Sequence, residues 1–180
     1  ASSMFLYKMI QTNLDGTTYQ QDYTYEDSKI VKVEDSNGKR RVFTYNELDQ
    51  ISKIEVYTDD MLVETNDFVY DISENLISLI KVNLTTSVGT KWVYVHNADR
   101  TISYQKFSGD DQTQTDLKST GVISATKRVE TITDPVTTEE TVYTTTFAYD
   151  LKNNPFVNIV GYDKMYFADI DVPLNLSNNI

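Results

Sequence analysis

Residues 23–56, YTYEDSKIVKVEDSNGKRRVFTYNELDQISKIEV, repeat one phrase twice: an aromatic-x-Tyr pair, a short polar turn, then Ile-x-x-(Val/Ile). The copies are Tyr23-Thr-Tyr25 with Ile30 and Val33, and Phe43-Thr-Tyr45 with Ile51 and Ile54. Asn37-Gly38 lies between them and supplies the positive φ angles of a tight hairpin turn. The phrase therefore reads as strand, turn and returning strand. One irregularity recurs. Ile30 and Val33 are three apart, as are Ile51 and Ile54, and a regular strand cannot point such a pair to one face. Either the first residue covers the turn or a bulge separates the two.

Outward from this unit the pattern continues. Residues 4–10 read as a first strand, closed by Asp15-Gly16, and Tyr19, Gln21, Tyr23 and Tyr25 share one face of the next. Strands follow over 29–35, 40–46, 50–57 and 61–70. Phe68-Val-Tyr70 with Leu76 and Leu79 forms a third copy, and Trp92-Val-Tyr94 opens a fourth. Ser108 to Asp116 reads as the longest polar loop, and 101–107, 121–133 and 141–149 as strands, the last two around a turn at Asp134-Pro135. Phe147-Ala-Tyr149 begins a fifth copy. About ten to twelve strands with no helical period predict an all-β, antiparallel up-and-down meander in one domain, residues 1–180. A sheet of that length is expected to be strongly curved or barrel-like, with a two-sheet sandwich second.

Composition removes several functions. With 180 residues a core can form without staples, and there is no Cys for a disulfide, thiol nucleophile or thiolate–zinc site. A net charge of −11 opposes nucleic acid and anionic membrane surfaces alike. No apolar run is long enough for a membrane-spanning helix, and the opening ASSMFLYKMI lacks a signal-peptide shape, so any targeting segment is expected to precede residue 1. A spanning barrel would need one apolar phase, yet Lys29, Lys32, Glu34, Lys53, Glu55, Lys127, Arg128 and Glu130 occupy both phases of their strands.

Candidate sites are few. His96 is the single histidine and no Gly-x-Ser-x-Gly elbow accompanies it, so it reads as a cross-strand neighbour. Calcium needs several oxygens on one loop; Asp110, Asp111 and Asp116 are the best set, with Asp169 and Asp171 a second pair, and neither has EF-hand spacing. A carboxylate-pair hydrolase rests only on the abundance of Asp and Glu. Thirteen Tyr and one Trp could stack on sugar rings, and Trp92, Tyr94 and Tyr104 on adjacent predicted strands are the first candidates for a ligand site. Cross-strand ring pairing explains the same residues through structure alone.

The Tyr-x-Tyr-(Asp/Glu) phrase with its Ile/Leu-x-x-Ile/Val return, and the segment Phe147-Ala-Tyr149-Asp150-Leu-Lys152-Asn153-Asn154-Pro155-Phe156-Val-Asn158-Ile159, resemble the YD-like hairpin repeats of uncharacterised secreted proteins and lipoproteins of Bacteroidota. Relatives in that group include porin-like-fold domains. The Gly-Arg-Leu turn of true YD repeats is missing. The resemblance implies an exported protein of the periplasm, outer membrane or cell surface, lipid-anchored if at all through a residue outside this chain. It implies no activity. The expected function is a non-enzymatic cell-envelope or surface protein that binds another envelope protein or complex through its sheet, without a cofactor, nucleic acid or membrane-spanning segment. The alternative is a carbohydrate or small-ligand binding protein using the sheet aromatics.

Overall fold

The computed structural model describes residues 5–124 and 126–146. They form twelve strands: β1 Lys8–Thr12, β2 Thr18–Glu26, β3 Lys29–Asp35, β4 Lys39–Tyr45, β5 Ile51–Thr58, β6 Met61–Tyr70, β7 Leu76–Asn83, β8 Val88–His96, β9 Ile102–Asp110, β10 Gln114–Ile123, β11 Lys127–Thr133 and β12 Glu140–Thr146. Sheet order follows chain order from β1 to β12, an antiparallel meander with no helix among the described residues. In that order β1 neighbours only β2 and β12 only β11, so the barrel closure expected from sequence is not made by these strands. The fifth copy, beginning at Phe147, lies outside the described residues. The chain divides into two compact units, the boundary falling between Asn66 and Asp67 within β6.

The first unit carries the repeated phrase. Tyr23, Ile30, Val33, Phe43, Ile51, Ile54 and Val56 are all at most 5% exposed. Burying an Ile or Phe side chain fully is worth about 1.5–3 kcal/mol, so this row dominates the unit's stability. The three-residue spacing is resolved by bulges. Thr24 faces Lys32 while Tyr25 faces Ile30, leaving Val31 as the extra residue. Thr44 faces Lys53 while Tyr45 faces Ile51, leaving Ser52. Each bulge flips the phase once and lets both aliphatic residues reach the same core. The second ring of each phrase ties down neighbouring backbone: the Tyr25 hydroxyl donates to Leu6 O at 2.7 Å, and that of Tyr45 to Ile30 O at 2.7 Å.

Turn chemistry differs from the expectation at Asn37-Gly38. Only Gly38 is left-handed, at φ +79°. Asp35 makes the turn instead, its Oδ1 accepting from Asn37 N at 3.0 Å and Lys39 N at 3.1 Å. Paired positive φ angles occur at Asp27-Ser28 and Asp59-Asp60, two-residue loops without glycine.

A polar chain crosses the same unit. The Tyr23 hydroxyl donates to Gln21 Oε1 at 2.8 Å, Gln21 Nε2 donates to the Tyr19 hydroxyl at 2.8 Å, and Tyr19 donates to Asp35 Oδ2 at 3.1 Å. Gln21 is 2% exposed, so these bonds offset the desolvation of its amide. Burial pushes the Tyr23 phenol up to about 12, against the opposing pull of the Arg41 charge.

In the second unit the core is Phe68, Leu76, Leu79, Val82, Trp92, Tyr94 and Tyr104. The turn after β6 has Asp71 N donating to Asn75 O at 2.9 Å, and that after β8 has Asn97 N donating to Thr101 O at 2.9 Å. Counting back from these turns realigns the fourth copy. Tyr94 stands three residues before Asn97, as Phe68 does before Asp71. The repeat's rings are thus Tyr94 and His96, rather than Trp92 and Tyr94. His96 does the work of the second ring: its Nε2 lies 2.9 Å from Leu76 O, as a donor because a carbonyl only accepts.

Several boundaries differ from the sequence reading: the first strand, expected over residues 4–10, is Lys8–Thr12, and two later differences are larger. The expected polar loop 108–116 is mostly strand, since β9 runs to Asp110 and β10 starts at Gln114. Register shifts between Gln114 and Asp116, and between Leu117 and Ser119, twist this hairpin. The expected strand 121–133 is two strands, broken where Ser124 N donates to Lys127 O at 2.8 Å and Ser124 Oγ accepts from Lys127 N at 3.1 Å.

Candidate functional site

Strands β8 to β11 present two unlike faces. One gathers the three aromatic residues singled out from sequence. Tyr94 and Tyr104 are direct cross-strand partners with ring centroids 6.3 Å apart at 53°, and Trp92 pairs with Lys106. These rings are covered rather than offered. Trp92, Tyr94 and Tyr104 are 8%, 5% and 3% exposed. Lys106 Nζ sits 5.5 Å from the Trp92 ring centre, and the Arg128 guanidinium 5.5 Å from that of Tyr104.

The edge of this aromatic face is a closed polar network. Arg128 Nε donates to the Tyr104 hydroxyl at 3.2 Å and its Nη2 to Glu130 Oε2 at 3.1 Å, while Ser119 Oγ donates to Glu130 Oε1 at 2.5 Å. Burial works against the Glu130 carboxylate, but the Ser119 hydroxyl and the Arg128 and Lys106 charges outweigh it and hold its pKa below the usual value. Burial likewise pushes the Tyr104 phenol up, with Arg128 opposing. A carboxylate held ionised and committed to two donors is a structural anchor, unlike a general acid, whose pKa must rise. Gly121 faces Tyr104 across the strands, and a Cβ there would lie 2.3 Å from the ring. The ring packs flat over backbone, which only glycine permits.

The opposite face is open. It holds a shallow hollow of about 420 Å³ built from two cross-strand rows. Val93, Gln105, Thr120 and Thr131 form one, and Val95, Ser103, Val122 and Val129 the other. The rows continue onto β12 as Val142 and Thr144. None of these ten side chains is charged, in a chain of net charge −11. Val95 is 58% exposed, Val142 57% and Val122 42%, so apolar surface is left uncovered here. Sequence reading missed this surface, although the Val/Thr alternation across 120–131 carries its signal once the break at Ser124 is known.

The remaining candidates are placed as follows. Asp110 Oδ1 accepts from Gln112 N at 2.9 Å and Thr113 N at 2.6 Å, which makes it the cap of the β9–β10 turn. Asp116 is ion-paired with Lys118, and Asp111 is part-exposed in the turn itself. No three metal-ligating side chains converge among the described residues. Asp169 and Asp171 lie outside the described residues. Compared with known proteins, no family model matches the chain and no curated protein matches its sequence.

Proposed function

We propose that this chain is a non-enzymatic interaction subunit of the cell envelope, and that it contacts a partner protein through the uncharged Val/Thr rows of β8 to β11. The observation that carries the reading is the pair of Val/Thr rows with Val95 and Val122 left open. A contiguous uncharged patch with open valines, on a chain of net charge −11, is the kind of surface that marks an interaction site. The partner surface is correspondingly neutral where it meets these rows, because a charged one would lose hydration there without a counter-charge. Export to the periplasm, outer membrane or cell surface is part of the proposal and is supported by the hairpin-repeat resemblance alone.

Pull-down from native membranes tests it, with Val95→Asp and Val122→Lys as controls. The expected result is a defined partner recovered with the parent chain and lost with both variants, whose circular dichroism and melting temperature stay unchanged. Recovery of the chain alone at every detergent strength would count against the proposal. Glycan binding through Trp92, Tyr94 and Tyr104 has less support, because cations and neighbouring strands already occupy those rings.

A further inference from the structure

We infer that Ser119, Gly121 and Glu130 are positioning residues for the docking surface: they lock the register of β10 and so decide that Thr120 and Val122 face the open rows. The inference rests on reading those rows as the docking surface.

β10 needs a lock because its own sequence does not supply one. Register is strongly specified where one phase of a strand is apolar and buried, and weakly held in polar or glycine-containing strands. In β10 only Ser119 is buried. Its ladder with β9 is also interrupted. Leu117 faces Phe107 and Ser119 faces Lys106, which leaves Lys118 as an extra residue. Taking Lys118 into the ladder would slide the rest of the strand by one. Lys118 would then stand opposite Lys106, Thr120 opposite Tyr104 and Val122 opposite Ile102. Thr120 and Val122 would turn to the covered face and Gly121 to the open one.

The covered face opposes that slide in three ways. Tyr94, Tyr104, Gly121, Glu130 and Tyr143 form a single cross-strand row lying directly behind and between the two open rows. At its centre the Tyr104 ring covers Gly121, where a Cβ would come within 2.3 Å, so a threonine in that place has no room. Ser119 Oγ donates to Glu130 Oε1, and Arg128 donates both to that carboxylate and to the Tyr104 hydroxyl. Strands β9, β10 and β11 are thereby joined at one point. Lys118 against Lys106 adds the repulsion of like charges directly opposite. Tyr104 and Gly121 also line the hollow on the open side, so the lock sits behind the place where a partner rests.

Heteronuclear NMR of the full chain tests it. The parent is expected to give one set of β10 amide resonances, with contacts between Tyr104 and Gly121. Glu130→Ala, and more mildly Ser119→Ala, are expected to add a second set over residues 115–123 in which Thr120 contacts Tyr104. Ser119→Thr, which keeps the hydroxyl, is expected to return the single set. Because the chain has no Cys, Val122→Cys serves as a reporter, and its thiol labelling is expected to slow severalfold when Glu130→Ala is added. A role in stability alone would lower the melting temperature without a second register. Only the parental Tyr104–Gly121 contacts in both alanine variants, or a Ser119→Thr chain that behaves as Ser119→Ala, would overturn the inference. Partner capture separates it from the reading beneath it. Loss of the partner with Val95→Asp, alongside a single register in Glu130→Ala, removes the lock and leaves the docking surface. A second register with capture indifferent to Val95→Asp removes the docking surface and leaves the lock.

Discussion

Ribbons β3–β5 and β10–β12 are both three antiparallel strands joined by short turns, yet they are held by different forces. The first buries Ile30, Val33, Phe43, Ile51, Ile54 and Val56, whereas the second buries only Ser119. Backbone pairing makes a ribbon in both; apolar side chains on one phase give only the first a core. The lesson is that the strands with least to bury are the ones that leave surface for partners.

The contrast can be broken most directly by truncation. Ile54, wholly buried, is expected to lose about 2–5 kcal/mol as Ile54→Ala, while Val142→Ala in β12 stays within about 0.5 kcal/mol. Urea denaturation measures both, and equal losses would erase the distinction. A smaller effect sharpens it from the other side. Gly121→Ala drives a methyl group into the Tyr104 ring and is expected to destabilise by about 1–3 kcal/mol, although it lies on a mostly exposed strand. If it proves neutral, the aromatic face is looser than its packing implies.

How much of this was legible in the sequence follows the same divide. Strands 29–35 and 61–70 were read to the residue, because runs rich in strand-forming residues lie there between sharp polar turns. The irregularity behind the bulges was legible as well, since two aliphatic residues three apart cannot share a face of a regular strand, but the choice between a bulge and a residue covering the turn needed the register. β10 was not, because Gln114-Thr-Asp-Leu-Lys-Ser-Thr120 is polar on both phases and resembles a loop when stripped of its neighbours. The turn at Ser124 was hidden because it uses a serine hydroxyl instead of Gly, Pro or Asn. Trp92 misled the repeat alignment; the fixed point was the turn residue, Asn46, Asp71 or Asn97, and counting from it would have placed His96 correctly. Trp92, Tyr94 and Tyr104 were found as neighbours, but burial depends on Lys106 and Arg128, whose positions only the register supplies.

The smallest effect concerns the turns. The amide of Asn75, then its side chain and the amide of Ser73, hold the Asp71 carboxyl below its ordinary 3.8. A lowered folded-state pKa means the carboxylate stabilises the fold above the unfolded value and ceases to do so as pH falls through the folded one. Asp71→Ala is therefore expected to be less stable than the parent at pH 7 and to show a shallower loss of stability in acid, read from denaturation midpoints against pH. An identical acid limb in both would show that the turn contributes nothing.

Residue-resolved hydrogen exchange tests the central contrast most directly. Amides of β4 and β5 should exchange only through global unfolding, while those of β12 exchange orders of magnitude faster through local opening. Protection of β12 equal to that of β5 would contradict the account, since every side chain of β12 is exposed and none packs in a core that would hold its amides closed.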